Sequence, residues 1–137
     1  MQAQSAGARI KVRVYYEDTD FSGVVYHASY LRFLERGRTE FLRARGVGHR
    51  ELFKAGEGVH FVVRSMTIDF RRPALMDDLI EIETAIEAVG GASIDMRQTV
   101  LRGAEALVAA SVRVAVVSAG RAARLPEDLR RALAGDG

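Results

Sequence analysis

The stretch HASYLRFLERGRTEFLRAR, residues 27–45, is where the periodicity of the chain changes, and that change decides the fold. Tyr30, Leu34, Gly37, Phe41 and Ala44 recur at steps of four, three, four and three, which sets them along one face of a helix. Arg32, Glu35, Arg36, Thr39, Glu40 and Arg43 fall on the opposite, polar face. Gly37 stands inside the apolar stripe, where glycine costs up to ~1 kcal/mol of helix propensity relative to alanine. Close approach of the helix to a sheet is the expected reason for it. Gly46 and Gly48 supply a C-terminal stop, Arg43 and Arg45 complement the negative helix end, and a short helical turn through Glu51-Leu52-Phe53 is expected to follow.

On both sides of this helix the period is two. Ile10, Val12, Val14 and Tyr16 alternate with Lys11, Arg13 and Tyr15, the pattern of a half-buried strand over residues 10–16. It runs into Glu17-Asp18-Thr19-Asp20-Phe21-Ser22-Gly23, whose short polar side chains and glycine favour a loop. Four strand-like runs come after the helix. Val62, Met66, Ile68 and Phe70 share parity in the first, and Ile80, Ile82 and Ile86 oppose Glu81, Glu83 and Glu87 in the second. Ile94, Met96 and Val100 mark the third; Val108, Ala110, Val112, Val114 and Val116 mark the fourth. Gly90-Gly91 and Gly103 give hairpin turns, and Pro73 ends the ladder between the first two runs. Pro126 opens a short amphipathic tail helix over residues 126–134.

The expected fold class is therefore α+β: one long helix against a five-stranded antiparallel sheet, in a single domain over residues 1–137 with its core at about residues 9–118. One helix covers only part of such a sheet. The uncovered apolar surface and strand edges predict a homodimer at least.

Composition narrows the function classes. With 48% apolar and 28% charged residues, neither disorder nor a membrane span is indicated. Residues 1–11 lack the apolar run of a secretory signal and no later stretch is long enough to span a bilayer, so a cytoplasmic location is expected. The absence of cysteine removes disulfides, thiolate metal sites and cysteine nucleophiles. His27, His49 and His60 show no metal-ligand spacing, so no metal or other cofactor is expected. A net charge of +2, with aromatics mainly on core faces, argues against a nucleic-acid partner.

The segment from Val12 to Tyr30, with Asp18-Thr19-Asp20, then Gly23, then Tyr26-His27 opening the helix, resembles the signature of the hot-dog-fold acyl-CoA thioesterases. More narrowly it is similar to the 4-hydroxybenzoyl-CoA thioesterase-like branch and, within that, to the YbgC group linked to the Tol-Pal cell-envelope system. The run from Phe61 to Phe70 carries the same resemblance, which extends over about residues 9–118. The resemblance implies a long helix wrapped by a curved antiparallel sheet and hydrolysis of acyl-CoA to acid and CoA. It also implies dimers joined edge to edge, often paired into homotetramers, with active sites at the dimer interface and a possible peripheral link to the envelope.

Carried over residue by residue, it makes Asp20 the catalytic carboxylate, as nucleophile or as general base on water. Asp18 is expected to hold the loop by hydrogen bonds to backbone amides. The unpaired N–H groups at the helix start, best of all that of His27, suit a developing oxyanion. The His27 side chain either orients the carboxylate or water, or serves as a cap or packing group. Gly23 lets the loop backbone approach the substrate or simply makes the turn. Tyr26 either lines the acyl pocket or packs into the core. For the CoA phosphates the candidates are Arg64, Arg71, Arg72 and Arg97, with Ser65, Ser93 and Gly91 adding hydrogen bonds or close backbone approach. CoA thiolate, with the acidity of an ordinary thiol, leaves without a dedicated acid, so no Ser-His-Asp triad is required. The competing reading is a non-enzymatic acyl-CoA-binding or interaction module of an envelope complex; a dehydratase on the same fold would need a differently placed His and carboxylate.

Overall fold

Alternating apolar residues build the sheet and the 3.6-residue stripe lays the helix across it. In the computed structural model, which describes residues 7–47 and 58–134, the order is β1 (Ala8–Arg13), a 3₁₀ turn (Tyr16–Asp18), α1 (His27–Ala44), β2 (His60–Phe70), β3 (Leu79–Val89), β4 (Ser93–Arg102), β5 (Glu105–Ser118), β6 (Arg121–Ala122) and α2 (Glu127–Ala134). His49, Gly48 and the turn expected at residues 51–53 lie outside the described residues. The strands form one antiparallel sheet ordered β1-β3-β4-β5-β2, and the two-residue β6 pairs with β5 as a sixth strand that periodicity does not reveal. The turn into β6 uses positive φ at Ala119 (54°) and Gly120 (76°), the geometry of a tight hairpin.

The inner face of the sheet is continuous. Ile80, Ile82, Ile94, Met96, Val100, Val108, Val112 and Val116 are buried under α1, whose Tyr30, Phe33, Leu34, Phe41 and Leu42 are buried against them. The helix stripe is wider than the sequence pattern: Phe33 and Leu42 join it, whereas Ala44, in the last turn, is exposed. Gly37 does sit where helix and sheet touch. A Cβ there would stand 2.7 Å from Ile82 Cγ2 and 3.0 Å from both Gln98 Nε2 and Thr84 Oγ1. Thr84 and Gln98, on the same inner face, are fully buried polar groups. Gln98 Nε2 donates to Leu34 O and to Thr84 Oγ1, each at 2.9 Å, while Arg38 Nη1 donates to Gln98 Oε1 at 3.0 Å. This chain of bonds clamps the middle of α1 onto the sheet.

One parity assignment changes. The register of β2 on β5 shifts between Val63 and Ser65, so Arg64 is an extra residue in the ladder. Met66, Ile68 and Phe70 face inward opposite Val112, Ala110 and Val108, but before the bulge it is Phe61 and Val63 that face inward, and Val62 points outward at 44% exposure. β2 is an edge strand eleven residues long, and Val62, Val63 and Phe70 are all partly bare along it. Among the described residues no helix is long and apolar enough to cross a membrane.

Candidate active site

β1 delivers the chain to one end of the sheet, where it is fastened at once: Val14 N–H donates to Asp78 O at 2.9 Å and Asp77 N–H to Val14 O at 2.8 Å. The 3₁₀ turn follows, and then a short excursion over residues 19–25 that doubles back on itself. Thr19 pairs with Val25, and Asp20 N–H donates to Val24 O at 2.9 Å. The reversal needs φ of +81° at Gly23, a conformation that favours glycine. Val24 in turn bridges Leu75, Val25 N–H donates to Ala74 O, and Met76 N–H donates to Gly23 O. The loop is thus an added strip on the β2–β3 connection, and its shape is fixed by backbone bonds.

Asp20 projects from this strip with its two oxygens in different states. Oδ1 accepts from Ser22 N–H and Ser22 Oγ, both at 2.9 Å, and from Val24 N–H at 3.4 Å. None of these bonds uses Oδ2. The Ser22 hydroxyl, then the Ser22 amide and more weakly the Val24 amide hold the carboxyl below the usual aspartate range. Asp20 is therefore an ionised carboxylate.

The strip ends at Tyr26, and α1 begins at His27 with no side-chain cap and no acidic residue in its first turn. The N–H groups of His27 and Ala28 have no acceptor one turn back, as at any helix start, so with the helix dipole they form an anion-attracting end. The His27 ring stacks on Phe70 with centroids 4.2 Å apart and planes at 23°. Tyr30, one turn on, is buried, and its hydroxyl oxygen accepts from Ala74 N–H at 2.9 Å, which ties the helix to the β2–β3 connection. These parts surround a cleft of about 320 Å³. Asp20 and Val24 line it from the loop, Tyr26, His27 and Tyr30 from the helix start, and Phe70, Arg71, Arg72 and Pro73 from the end of β2. A carboxylate, an uncapped helix end and two guanidiniums thus share one opening beside an apolar wall.

Comparison with known proteins follows the same lines. The thioesterase-like superfamily pattern matches residues 14–133. The chain belongs to this superfamily. The thioesterase-like chain is 44% identical over 115 residues to the acyl-CoA thioesterase YbgC of Haemophilus influenzae, covering 84% of each protein. It is 47% identical over 100 residues to the acyl-CoA thioester hydrolase YbgC of Escherichia coli, covering 73% of each. A crystal structure of a probable thioesterase from Bartonella henselae superposes with a TM-score of 0.84 at 48% identity, covering 88% of this chain and all of that one. The helix-in-sheet architecture is the hot-dog fold.

Within this thioesterase-like chain, the residues singled out in the sequence divide into two groups. Asp20, Tyr26, His27, Arg71 and Arg72 line the cleft, with Gly23 on the loop between them. Tyr26 is 39% exposed at the rim and is not a core residue. Arg64, Ser65, Gly91, Ser93 and Arg97 do not line it. Arg64 lies at the β2 bulge; Ser65 lines a separate depression on the outer face with Asp95 and Arg113; Arg97 is paired there with Glu87. Gly91 and Ser93 sit in the β3–β4 hairpin, level with Val62 at the other end of β2, about 25 Å from Phe70 at ~3.3 Å per residue. Tyr30, Phe70 and Pro73 line the cleft without having been singled out. Phe70 and Tyr30 read in the sequence only as core positions, and no local pattern reveals that the two meet at an opening.

Proposed function

We infer that this chain is an acyl-CoA thioester hydrolase in which Asp20 delivers the chemistry and the first turn of α1 polarises the thioester carbonyl. The observation that carries the reading is the pairing of an ionised carboxylate, one oxygen restrained and the other unengaged, with an uncapped helix N-terminus across the same cleft. The restrained oxygen fixes the direction of the second, and a fixed direction is what an attack on carbon or on a water proton requires. As the tetrahedral adduct forms, negative charge collects on the former carbonyl oxygen, where the amides of His27 and Ala28 offer hydrogen bonds. Collapse of the adduct breaks the C–S bond, and the thiolate departs and is protonated by solvent; where water attacks, the free acid forms at once, and where Asp20 attacks, a mixed anhydride forms that water then hydrolyses to the acid and the restored carboxylate.

Arg71 and Arg72 stand at the rim with exposed guanidiniums, paired at the surface with Asp69 at 2.8 Å and Glu105 at 3.3 Å, pairs that the phosphates of CoA would compete for, while Phe70 and Tyr30 offer the acyl group an apolar wall. The second set of candidates, Gly91 and Ser93, belongs to a second copy in this reading. Two β2 edges paired antiparallel carry the hairpin end of one protomer toward the cleft end of the other, so the working unit is a homodimer acting in the cytoplasm. Pairing of such dimers into tetramers is compatible with the charged outer face of the sheet.

Free-thiol release across short, long and aromatic acyl-CoA thioesters tests the reading. Wild type releases CoA from at least one class, and Asp20→Asn does not. Equal, slow release by both proteins would instead favour an acyl-CoA-binding module. A single turnover in oxygen-18 water reads the route: label in the Asp20 carboxylate shows attack on carbon, through an anhydride that water opens at the aspartyl carbonyl, whereas water activation sends all the label to the released acid.

A further inference from the structure

We propose that Arg32, acting through Asp18, is a positioning residue for the hydrolysis, setting where Asp20 stands relative to the helix amides. The inference rests on the reading of Asp20 as the reacting carboxylate. Neither Asp18 nor Arg32 lines the cleft, so neither touches substrate there. Their part is visible in how the excursion over residues 19–25 is anchored.

Asp18 is the foot of that excursion and is only 6% exposed. Its Oδ2 accepts from Tyr15 N–H at 2.9 Å and its Oδ1 from Arg32 Nη2 at 3.2 Å. Its backbone carbonyl, on the other side, accepts from Tyr26 N–H at 3.4 Å and from Ser29 Oγ at 3.2 Å. Tyr26 is the residue at which the excursion returns to the helix. Both feet of the loop that carries Asp20 are therefore tied to one residue. That residue is held to α1 by the second-turn guanidinium, which also donates to Ser29 Oγ at 3.1 Å.

The arrangement has a directional consequence. The amides that receive the oxyanion belong to the first turn of α1, and the carboxylate belongs to the loop. The Asp18–Arg32 pair joins the two bodies one turn away from both. A buried carboxylate that loses its cation keeps its backbone bonds but gains freedom to shift, and a displacement of about 1 Å at the reacting atoms can cost as much as 10²-fold in rate. A surface ion pair of no catalytic consequence would change neither.

The test measures kcat and KM separately for Arg32→Met and Arg32→Lys in the full chain, alongside thermal unfolding. Arg32→Met is expected to lower kcat about 10–100-fold, with KM held within about threefold and most of the loss recovered by Arg32→Lys. In an Asp20→Asn background the same substitution should remove nothing further, because its effect passes through that carboxylate. Unchanged kcat, a loss that merely follows the unfolded fraction, or a full additional loss in the Asp20→Asn background would overturn the proposal. Should Arg32→Met fail to fold, Ser29→Ala removes a bond to each partner while leaving the charges in place, and the same kcat loss or its absence decides. Wild-type rates in Asp20→Asn itself would defeat the underlying reading, a result separate from any outcome at Arg32.

Discussion

The two ends of the sheet are built for different purposes. At the Phe70 end, the loop over residues 19–25, the start of α1 and the β2–β3 connection are bound to one another by backbone bonds, and what they leave unsatisfied faces a cleft. At the hairpin end backbone carbonyls are engaged within the chain. Gly91 O accepts from Leu125 N–H at 2.8 Å, Gly90 O accepts from Arg130 Nη2 at 2.8 Å, and α2 closes over the hairpin with Leu129 and Leu133 buried. One end presents polar groups to a cleft and the other uses them for closure. A single chain therefore carries a carboxylate, a helix end and two arginines but keeps Gly91 and Ser93 of its expected ligand set about 25 Å away, a separation that antiparallel pairing of two β2 edges would abolish.

Variants can break or sharpen that contrast. The largest effect is expected at the open end: Asp20→Asn keeps the side chain's shape and its bond from Ser22 but removes the charge, and should reduce kcat/KM on the order of 10²–10⁴-fold in a thiol-release assay. Next comes the strand that would join the two ends. Val63→Glu places a carboxylate on the half-bare edge of β2, and light scattering should report monomers together with a loss of activity of about tenfold or more. A monomer with full activity would show that the distant end contributes nothing. Between the ends, Gly37→Ala forces a Cβ against Ile82, Gln98 and Thr84 and should lower unfolding free energy by about 1–3 kcal/mol in urea, with kcat nearly unchanged at low temperature.

The sequence speaks clearly where a residue's role is set by its neighbours along the chain, and poorly where the role comes from across the fold. The α1 stripe from Tyr30 to Phe41, the hairpin glycines and the turn at Gly23 follow from local geometry and appear where expected, while Ala44 in the last helical turn does not. The inward side of β2 does not, because the extra residue at Arg64 reverses parity and a bulge leaves no mark in an alternating pattern. Gln98 and Thr84 sit at apolar parity as buried polar groups because the carbonyl of Leu34 and each other supply their partners, a fact of packing alone. Asp20 stands out through the motif around it. Phe70, Tyr30 and Pro73 do not, since a strand end, a helix turn and a proline become a cleft wall only once β2 and α1 are docked.

The acid limb of the pH profile of kcat/KM, measured for wild type and for Ser22→Ala, tests the central claim most directly. Because hydrogen bonds from Ser22 hold the Asp20 carboxyl below the usual aspartate range, the base form persists as pH falls and activity should be lost only below that range. Removing the Ser22 hydroxyl takes away the largest of those bonds and should move the limb upward, toward that of an ordinary aspartate. A limb near neutrality that Ser22→Ala leaves in place would contradict the account and transfer the chemistry from the carboxylate to an imidazole.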